Sequence, residues 1–166
     1  MELMISMTVI AILLSTAIPS FKTYTWNLRM KTAMDTLQTD LNLARSHAIS
    51  HNTHTIICPA ISADSCTVEP DWKPGWIVFN DLNGDRQKQS GEPLLKHTGE
   101  TKLMRIQSSR SRTYIRFFPN GSAPGSNISI TFCDKRGAEK AGKITVSNTG
   151  RIRMQTGGIE TTANCP

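Results

Sequence analysis

The feature that most constrains the fold is a long apolar run close to the start of the chain. Leu3–Phe21 reads LMISMTVIAILLSTAIPSF and carries no charge over nineteen residues. That is about the length that a helix needs to cross a ~30 Å hydrocarbon core. A cleaved signal peptide is a poor explanation, because no basic segment precedes the run and a helical pattern continues after it. Pro19 is expected to kink this helix without ending it.

Apolar residues then recur three and four positions apart, which predicts an amphipathic continuation of the helix. This stripe comprises Met30, Ala33, Leu37, Leu41, Ala44 and Ala48. The predicted polar face carries Arg29, Lys31, Asp35, Asp40 and Arg45. We expect one helix from about Glu2 to about Ser50, roughly 75 Å long at 1.5 Å per residue. Its first half would lie in a membrane and its second half against a globular domain.

After residue 52 the helical periodicity stops and short segments predict β-strands. They are rich in β-branched and aromatic residues and read THTIIC, GWIVFN, KLMRIQ, TYIRFF, NISITFC, GKITVS and GRIRMQ. Turn sequences such as PNGSAPGSN, DKRGAEKAG and SNTG separate them. The expected architecture is α+β, with an antiparallel β-domain packed on the amphipathic half of the helix. We expect three parts, residues 1–21, 22–51 and 52–166, and a core that includes Trp76, Val78, Phe117 and Ile130.

The four cysteines form no CxxC pair and fit no zinc spacing. A membrane-directed N-terminus favours an oxidising compartment, where two disulfides are the expectation and buried free thiols the alternative. Four cysteines allow three pairings. We prefer Cys58–Cys66, which closes a short loop, with Cys133–Cys165, which ties the tail GGIETTANCP to a strand.

Positive charge is concentrated in the C-terminal third of the chain. Residues 100–157 hold eleven Lys/Arg and three Asp/Glu, a net charge of +8, whereas the remainder has a net charge of −2. A basic surface that only aids solubility explains this pattern, and so does an anionic partner.

The N-terminal sequence resembles the helix of type IV pilins and pseudopilins. In that family a glutamate follows the processed N-terminus and the apolar helix ends in Ile-Pro-Ser/Thr-Phe/Tyr, matched here by Glu2 and by Ala17-Ile18-Pro19-Ser20-Phe21. The resemblance implies cleavage by a prepilin peptidase, N-methylation, a single-pass inner-membrane anchor with a periplasmic domain, and later assembly with other pilins into a surface pilus. The family's basic leader and Gly-Phe-Thr-Leu site do not occur in this sequence, which we interpret as a truncated or misassigned start.

Glu2 is a functional candidate for two reasons. A carboxylate at the edge of a membrane is costly unless it is paired. The pilin resemblance implies that Glu2 docks the subunit in the pilus core by pairing with a neighbour's N-terminal amine.

Most of the remaining chain resembles the GspH/FimT group of minor pilins and pseudopilins. The strongest stretches are WIVFNDLNGDRQKQSGEPLL, IRFFPNGSAPGSNISITFCD and ITVSNTGRIRM. The resemblance implies a type IV pilin-like fold and a protein that is not an enzyme. No serine-hydrolase, zinc-protease or phosphate-loop motif occurs, and no cofactor is expected.

The segment GRIR, residues 150–153, is the candidate partner site. In a strand, Arg151 and Arg153 face the same way, with Cα atoms roughly 6.6 Å apart, while Ile152 faces the core. Planar guanidinium donors suit phosphate oxygens, and Gly150 allows the turn and a close backbone approach. GRxR also resembles the DNA-binding signature of FimT-type minor pilins. We expect nearby basic residues to extend a strip, namely Lys135, Arg136, Lys140 and Lys143. A charged edge strand that only blocks aggregation is the alternative.

Two weaker candidates are metal sites. Asp81, Asn83, Asp85 and Glu92 fall at positions one, three, five and twelve of a calcium loop, but position six is Arg86 instead of glycine, and an Asx-rich turn is the favoured explanation. His47, His51 and His54 have the spacing of a transition-metal site, although an exposed helix end is the favoured explanation.

The sequence therefore predicts a minor pilin that binds DNA phosphates and supports DNA uptake in natural transformation. The alternative is a GspH-like structural pseudopilin of type II secretion, or a pilus-priming subunit, without DNA binding. A metal-dependent adhesin that uses the Asp81–Glu92 loop is a third possibility.

Overall fold

The computed structural model describes residues 2–109, 111–157 and 165, with residues 11–19 as backbone only. The chain forms two compact units, Met1–Thr32 and Ala33–Pro166. The helix α1 is assigned over Glu2–His51, close to the predicted bounds. The strands are β1 (His54–Pro59), β2 (Trp76–Asp81), β3 (Leu94–Thr98), β4 (Arg105–Ser108), β5 (Ile115–Phe117), β6 (Ile128–Cys133), β7 (Gly142–Val146) and β8 (Ile152–Thr156), with a 3₁₀ turn at Ala138–Lys140.

The first unit is helical and presents apolar side chains such as Leu3, Ile10 and Phe21 to its surroundings. Two of its hydroxyl groups bond to the helix itself: Ser6 Oγ donates to the Glu2 carbonyl at 2.8 Å, and Thr25 Oγ1 donates to the Phe21 carbonyl at 2.8 Å. Among the residues whose side chains are described, no helical stretch is sufficiently long and apolar to cross a membrane.

In the second unit, α1 buries the predicted apolar stripe. Ala33, Leu37, Leu41, Ala44 and Ala48 are all buried, as expected from the 3.6-residue period. The helix ends at His51 because Asn52 adopts a left-handed conformation with φ 53°. The Thr53 N–H then donates to the Ala48 carbonyl at 3.2 Å, which satisfies one of the helix's last carbonyl groups.

Within the described residues, the strands form two antiparallel sheets of four strands each. The first sheet has the order β3-β2-β1-β5, and the second has the order β4-β6-β7-β8. Seven of these strands coincide with predicted segments, whereas β3 was not predicted. The four core residues expected from the sequence, Trp76, Val78, Phe117 and Ile130, are fully buried.

In the described part of the chain, backbone hydrogen bonds join the sheets at two places. The segment before β2 runs along β4, where the Trp72 N–H donates to the Ile106 carbonyl at 2.8 Å and the Ser108 N–H donates to the Pro70 carbonyl at 2.9 Å. The turn after β5 meets the β7–β8 turn, where the Ala123 N–H donates to the Asn148 carbonyl at 2.9 Å. This second junction brings the two turns close together.

Asp40 was predicted to lie on the polar face of α1, but that prediction is wrong, because Asp40 is buried. Its Oδ2 accepts hydrogen bonds from Trp76 Nε1 at 2.8 Å and from Thr98 Oγ1 at 2.7 Å. A buried carboxylate is tolerated when donors satisfy it. Asp40 therefore ties the helix to both β2 and β3.

Both preferred disulfides are present. Cys58–Cys66 has a Cα–Cα separation of 5.7 Å and lies at a small apolar cluster of Ile56, Ala60, Ile77 and Phe79 on the first sheet. Cys133–Cys165 joins β6 to the end of the chain, with Cα atoms 5.5 Å apart. Of the predicted tail GGIETTANCP, residues 158–164 and 166 lie outside the described residues.

We predict that Asp40→Ala lowers the free energy of unfolding by about 2–4 kcal/mol, because Trp76 Nε1 and the Thr98 hydroxyl lose their acceptor in the interior. Urea denaturation followed by tryptophan fluorescence measures this. Asp35→Ala, on the exposed face of the same helix, is the matched control and is expected to cost less than about 0.5 kcal/mol. Equal effects of the two substitutions would contradict the role assigned to Asp40.

Candidate nucleic-acid interface

The GRIR segment lies at the turn end of the β7–β8 hairpin, and β8 is an edge strand of the second sheet. Residues 147–150 form the turn, in which the Gly150 N–H donates to the Ser147 carbonyl at 2.8 Å. The Ser147 N–H donates to the Arg151 carbonyl at 3.0 Å, and the Arg151 N–H donates to Ser147 Oγ at 3.2 Å. The hairpin therefore fixes the backbone of Arg151 on both sides.

The side chains of Arg151 and Arg153 are exposed, whereas those of Ile152 and Met154 are half-buried, as strand alternation requires. Arg153 is in register with Thr145 on β7, and Lys143 is in register with Gln155. Arg153 and Lys143 are thus diagonal neighbours on one face, roughly 7–8 Å apart. Together, Arg151, Arg153 and Lys143 form a row of cations along the hairpin, which we call the hairpin row.

The other predicted basic residues lie at the far end of β7, in the β6–β7 connection. Lys140 is exposed there. Arg136 is engaged by the buried carboxylate of Asp134, which accepts from its Nε at 3.0 Å and from Nη2 at 2.7 Å. Its charge is compensated inside the protein, so Arg136 does not add a free cation to the hairpin row. Lys135 and Lys140 are separated from Arg151 by the length of β7, about 17 Å for five residues at 3.3 Å each.

Gly150 is required by packing within the protein. Its φ is 76°, in the region that favours glycine, and an added Cβ would overlap the carbonyl oxygen of Gly121. The same Cβ would lie 3.3 Å from Nε of Arg45. The glycine of the motif thus lets the β7–β8 turn close onto the turn after β5.

Arg45 of α1 also belongs to this site, although the sequence predicted only that it lies on the polar face of the helix. It is half-buried, and its Nε donates to the Gly121 carbonyl at 2.9 Å. On a helix, position 45 lies next to the buried positions 41, 44 and 48, and this placement was the available signal. The structure brings it to the turn that carries Arg151.

The Asp81–Glu92 loop is organised by its own backbone. Asp81, Asn83 and Asp85 accept hydrogen bonds from the N–H groups of Gly84, Asp85 and Gln87 at 2.9, 3.0 and 2.8 Å. Glu92 accepts from the N–H groups of Leu82 at 2.9 Å and Gln89 at 3.1 Å. This is the Asx-turn pattern that the sequence favoured.

The three histidines do not converge. The rings of His47 and His51 are stacked with centroids 4.0 Å apart, while His54 packs edge-on against Phe118. In the described part of the chain, no three carboxylate, imidazole or thiol side chains are grouped so that they could hold a metal ion. Burial, and secondarily the charge of His51, lowers the pKa of His47 below its ordinary value of 6.5.

Comparison with known proteins identifies the family of this chain. Residues 33–150 match the family model described as Type II transport protein GspH. The chain belongs to the GspH family. The matched residues include Arg45, Gly121 and Gly150 but end before Arg151 and Arg153.

Solved structures of pilins share the GspH-family fold found here. The type IV minor pilin FimU of Pseudomonas aeruginosa is similar with a TM-score of 0.63 and 18% identity, covering 80% of this chain and 92% of that chain. The minor pseudopilin EpsH from the Type 2 Secretion System of Vibrio cholerae gives a TM-score of 0.57 and 10% identity, covering 79% of this chain and 99% of that one. No curated protein matches the chain significantly.

The chain is thus a GspH-family protein, and it has the α+β pilin-like fold that was predicted. Pilins and pseudopilins are structural proteins without enzymatic activity, and they associate with other pilins in a fibre.

Gly150→Ala is expected to destabilise the fold by at least about 2 kcal/mol, because it combines left-handed strain with overlap on Gly121. Gly157→Ala is the matched control: its φ of 74° is nearly the same, but no atom of the described residues lies within 4 Å of the added Cβ. Thermal unfolding of the two variants compares them. If they were equally stable, the Gly121–Gly150 contact would not be a constraint on the fold.

The depressed pKa of His47 predicts that stability falls as the pH is lowered. The unfolded chain takes up a proton near pH 6.5, whereas folded His47 does so only at lower pH, so acid favours unfolding from about pH 6.5 downwards. We expect the melting temperature of His47→Gln to fall less than that of the wild type between about pH 7.5 and pH 5.5. His97→Gln, an exposed histidine on β3, should behave as wild type, and parallel curves for all three proteins would contradict this prediction.

Proposed function

We propose that this protein is a minor pilin that binds DNA through the hairpin row and supports DNA uptake in natural transformation, as FimT-type minor pilins do. The observation that carries the proposal is the pair of exposed guanidinium groups, Arg151 and Arg153, whose charge no carboxylate of the described residues compensates. The salt bridges Lys73–Glu100 and Arg136–Asp134 lie elsewhere, and within the described residues no salt bridge involves the hairpin row.

The spacing of the row suits a phosphate backbone. Arg151 and Arg153 are two residues apart, roughly 6.6 Å between Cα atoms, which is comparable to the separation of successive phosphates. Each guanidinium group can donate two parallel hydrogen bonds to one phosphate. Lys143 adds a third cation one strand further in.

Recognition by this surface would depend on phosphates and not on bases. The three cations reach the backbone of a nucleic acid, and β7 and β8 carry no aromatic side chain on which bases could stack. Binding should therefore be sequence-tolerant, with a Kd on the order of 10⁻⁶ to 10⁻⁴ M at physiological salt. A weak contact that is repeated along a fibre permits both capture and release of DNA.

The rest of the chain would serve assembly. In this proposal, the N-terminal half of α1 anchors the subunit in the inner membrane, with the β-domain in the periplasm, before a prepilin peptidase and the pilus machinery act on it. Glu2, which is exposed on α1, would then pair with the N-terminal amine of a neighbouring subunit.

A structural pseudopilin without DNA binding is the second candidate. The family model is named for a type II transport protein, and EpsH belongs to such a system. The hairpin row would then contact an acidic surface on a neighbouring subunit.

We expect the double variant Arg151→Gln/Arg153→Gln to bind the duplex so weakly that its affinity is measurable only at low salt, because two phosphate contacts disappear. Fluorescence anisotropy of a labelled duplex, titrated with the full-length chain in detergent across a sodium chloride series, measures both affinity and its salt dependence. The slope of log K against log salt should be smaller in magnitude by about 1.8, roughly 0.9 for each contact.

The matched control is Lys96→Gln/Lys102→Gln, which removes the same charge from exposed sites on β3 and before β4. Circular dichroism verifies that each variant is folded. If the wild type bound no DNA at low salt, or if both double variants bound equally, the structural pseudopilin would replace the DNA-binding pilin as the preferred function.

A further inference from the structure

Arg45 carries a charge that no carboxylate in the described part of the chain compensates. It is half-buried on the face of α1 that packs on the β-domain, and its Nε is used by the Gly121 carbonyl at 2.9 Å. Within the described ranges, no carboxylate forms a salt bridge with Arg45. A guanidinium group that has lost part of its hydration needs further acceptors, and one carbonyl oxygen satisfies only one of its five N–H groups.

The position of this guanidinium group relative to the GRIR turn is fixed by two glycines. Gly150 packs against the carbonyl of Gly121, and Arg45 Nε lies 3.3 Å from the place that a Cβ of Gly150 would occupy. Arg45 is therefore in contact distance of the residue directly before Arg151. Since neither glycine has a side chain, none separates the helix arginine from the backbone of the hairpin at this contact.

We propose that Arg45 and Arg151 form one phosphate-binding subsite across the contact between α1 and the β7–β8 turn. Arg45 would donate from its terminal nitrogens, Nη1 and Nη2, and Arg151 from the opposite side of the same oxyanion. Guanidinium groups are suited to this task because they present several donors in a fixed plane. The subsite rests on the proposed DNA binding and specifies where one phosphate of the backbone lies.

This subsite makes DNA binding depend on the folded arrangement and not on the GRxR segment alone. The two arginines lie 106 positions apart in the chain, one on α1 and the other directly before the edge strand β8. A second phosphate would bind at Arg153 and Lys143, further along the hairpin. The DNA backbone would thus run from the helix side of the turn along the outer side of β8.

Arg45→Gln tests the subsite, with Arg45→Lys as its conservative partner. The full-length chain in detergent is titrated into a labelled duplex across a sodium chloride series, and thermal unfolding is recorded for each variant. We expect Arg45→Gln to reduce the magnitude of the salt slope measurably but by less than about 0.9, the contribution of a whole phosphate contact, because Arg151 remains at the shared phosphate. Arg45→Lys keeps the charge and should keep most of the slope, although it loses the Nε bond to Gly121 and some thermal stability.

The slope separates binding from a purely structural role, because a variant that is only less stable keeps the wild-type slope at temperatures where it is folded. Lys96→Gln, a single charge removed from β3, should also keep it. If Arg151→Gln/Arg153→Gln weakened binding while Arg45→Gln kept the full slope, the subsite would be wrong and the proposed function would stand.

Pyrophosphate provides a test that does not depend on DNA. Arginine side-chain resonances in ¹⁵N NMR should shift for Arg45 and Arg151 together when pyrophosphate is added, and Arg45→Gln should abolish the shift of Arg151. If the wild type bound pyrophosphate in this way but did not bind DNA, the anion subsite would be supported and the proposed function would be wrong. A wild type in which neither resonance responds would overturn the subsite.

Discussion

The carbonyl oxygen of Gly121 is the point on which the candidate site depends. It accepts a hydrogen bond from Arg45 on α1, and it touches the backbone of Gly150 at the start of the GRIR segment. One oxygen atom thus connects the helix, the turn after β5 and the β7–β8 hairpin. Five residues earlier on the same helix, Asp40 makes the corresponding connection to β2 and β3. Two polar side chains of α1 therefore position the helix on both sheets, while the apolar stripe supplies the burial.

This arrangement gives the glycine of GRxR, Gly150, a structural role. The sequence suggested that Gly150 makes room for a nucleic acid, whereas the structure fills that room with another part of the protein. A left-handed residue that is packed against a carbonyl oxygen is fixed by the fold. The two arginines that follow are then held on a rigid turn, which reduces the conformational entropy lost when they bind an anion.

The sequence predicted the parts of this protein that depend on local pattern. The helical period, seven of the eight strands and both disulfides follow from spacing and residue type. Strand β3, LLKHT, was not predicted because it is an edge strand whose polar and apolar residues do not alternate. Its pairing with β2 decides its conformation. Asp40 and Arg45 were both assigned to a solvated face, since helical spacing alone does not show which polar side chains find buried partners in residues far along the chain. The sequence predicted a basic strip that included Arg136, but Arg136 is compensated by Asp134, a contact between side chains that no charge count reveals.

Charges on an edge strand have two physical uses, and Arg45 distinguishes them. Exposed arginines on β8 would prevent another strand from pairing with this edge, whether or not they bind an anion. That protective role needs charge on the strand only. It does not explain why the guanidinium group of Arg45 lies beside the turn without a carboxylate partner among the described residues. A phosphate-binding role explains both, because an oxyanion at the turn would be reached from α1 and from β8 at once. The cost of leaving Arg45 partly dehydrated is then offset when the anion binds, and the same arginines can protect the edge while it is unoccupied.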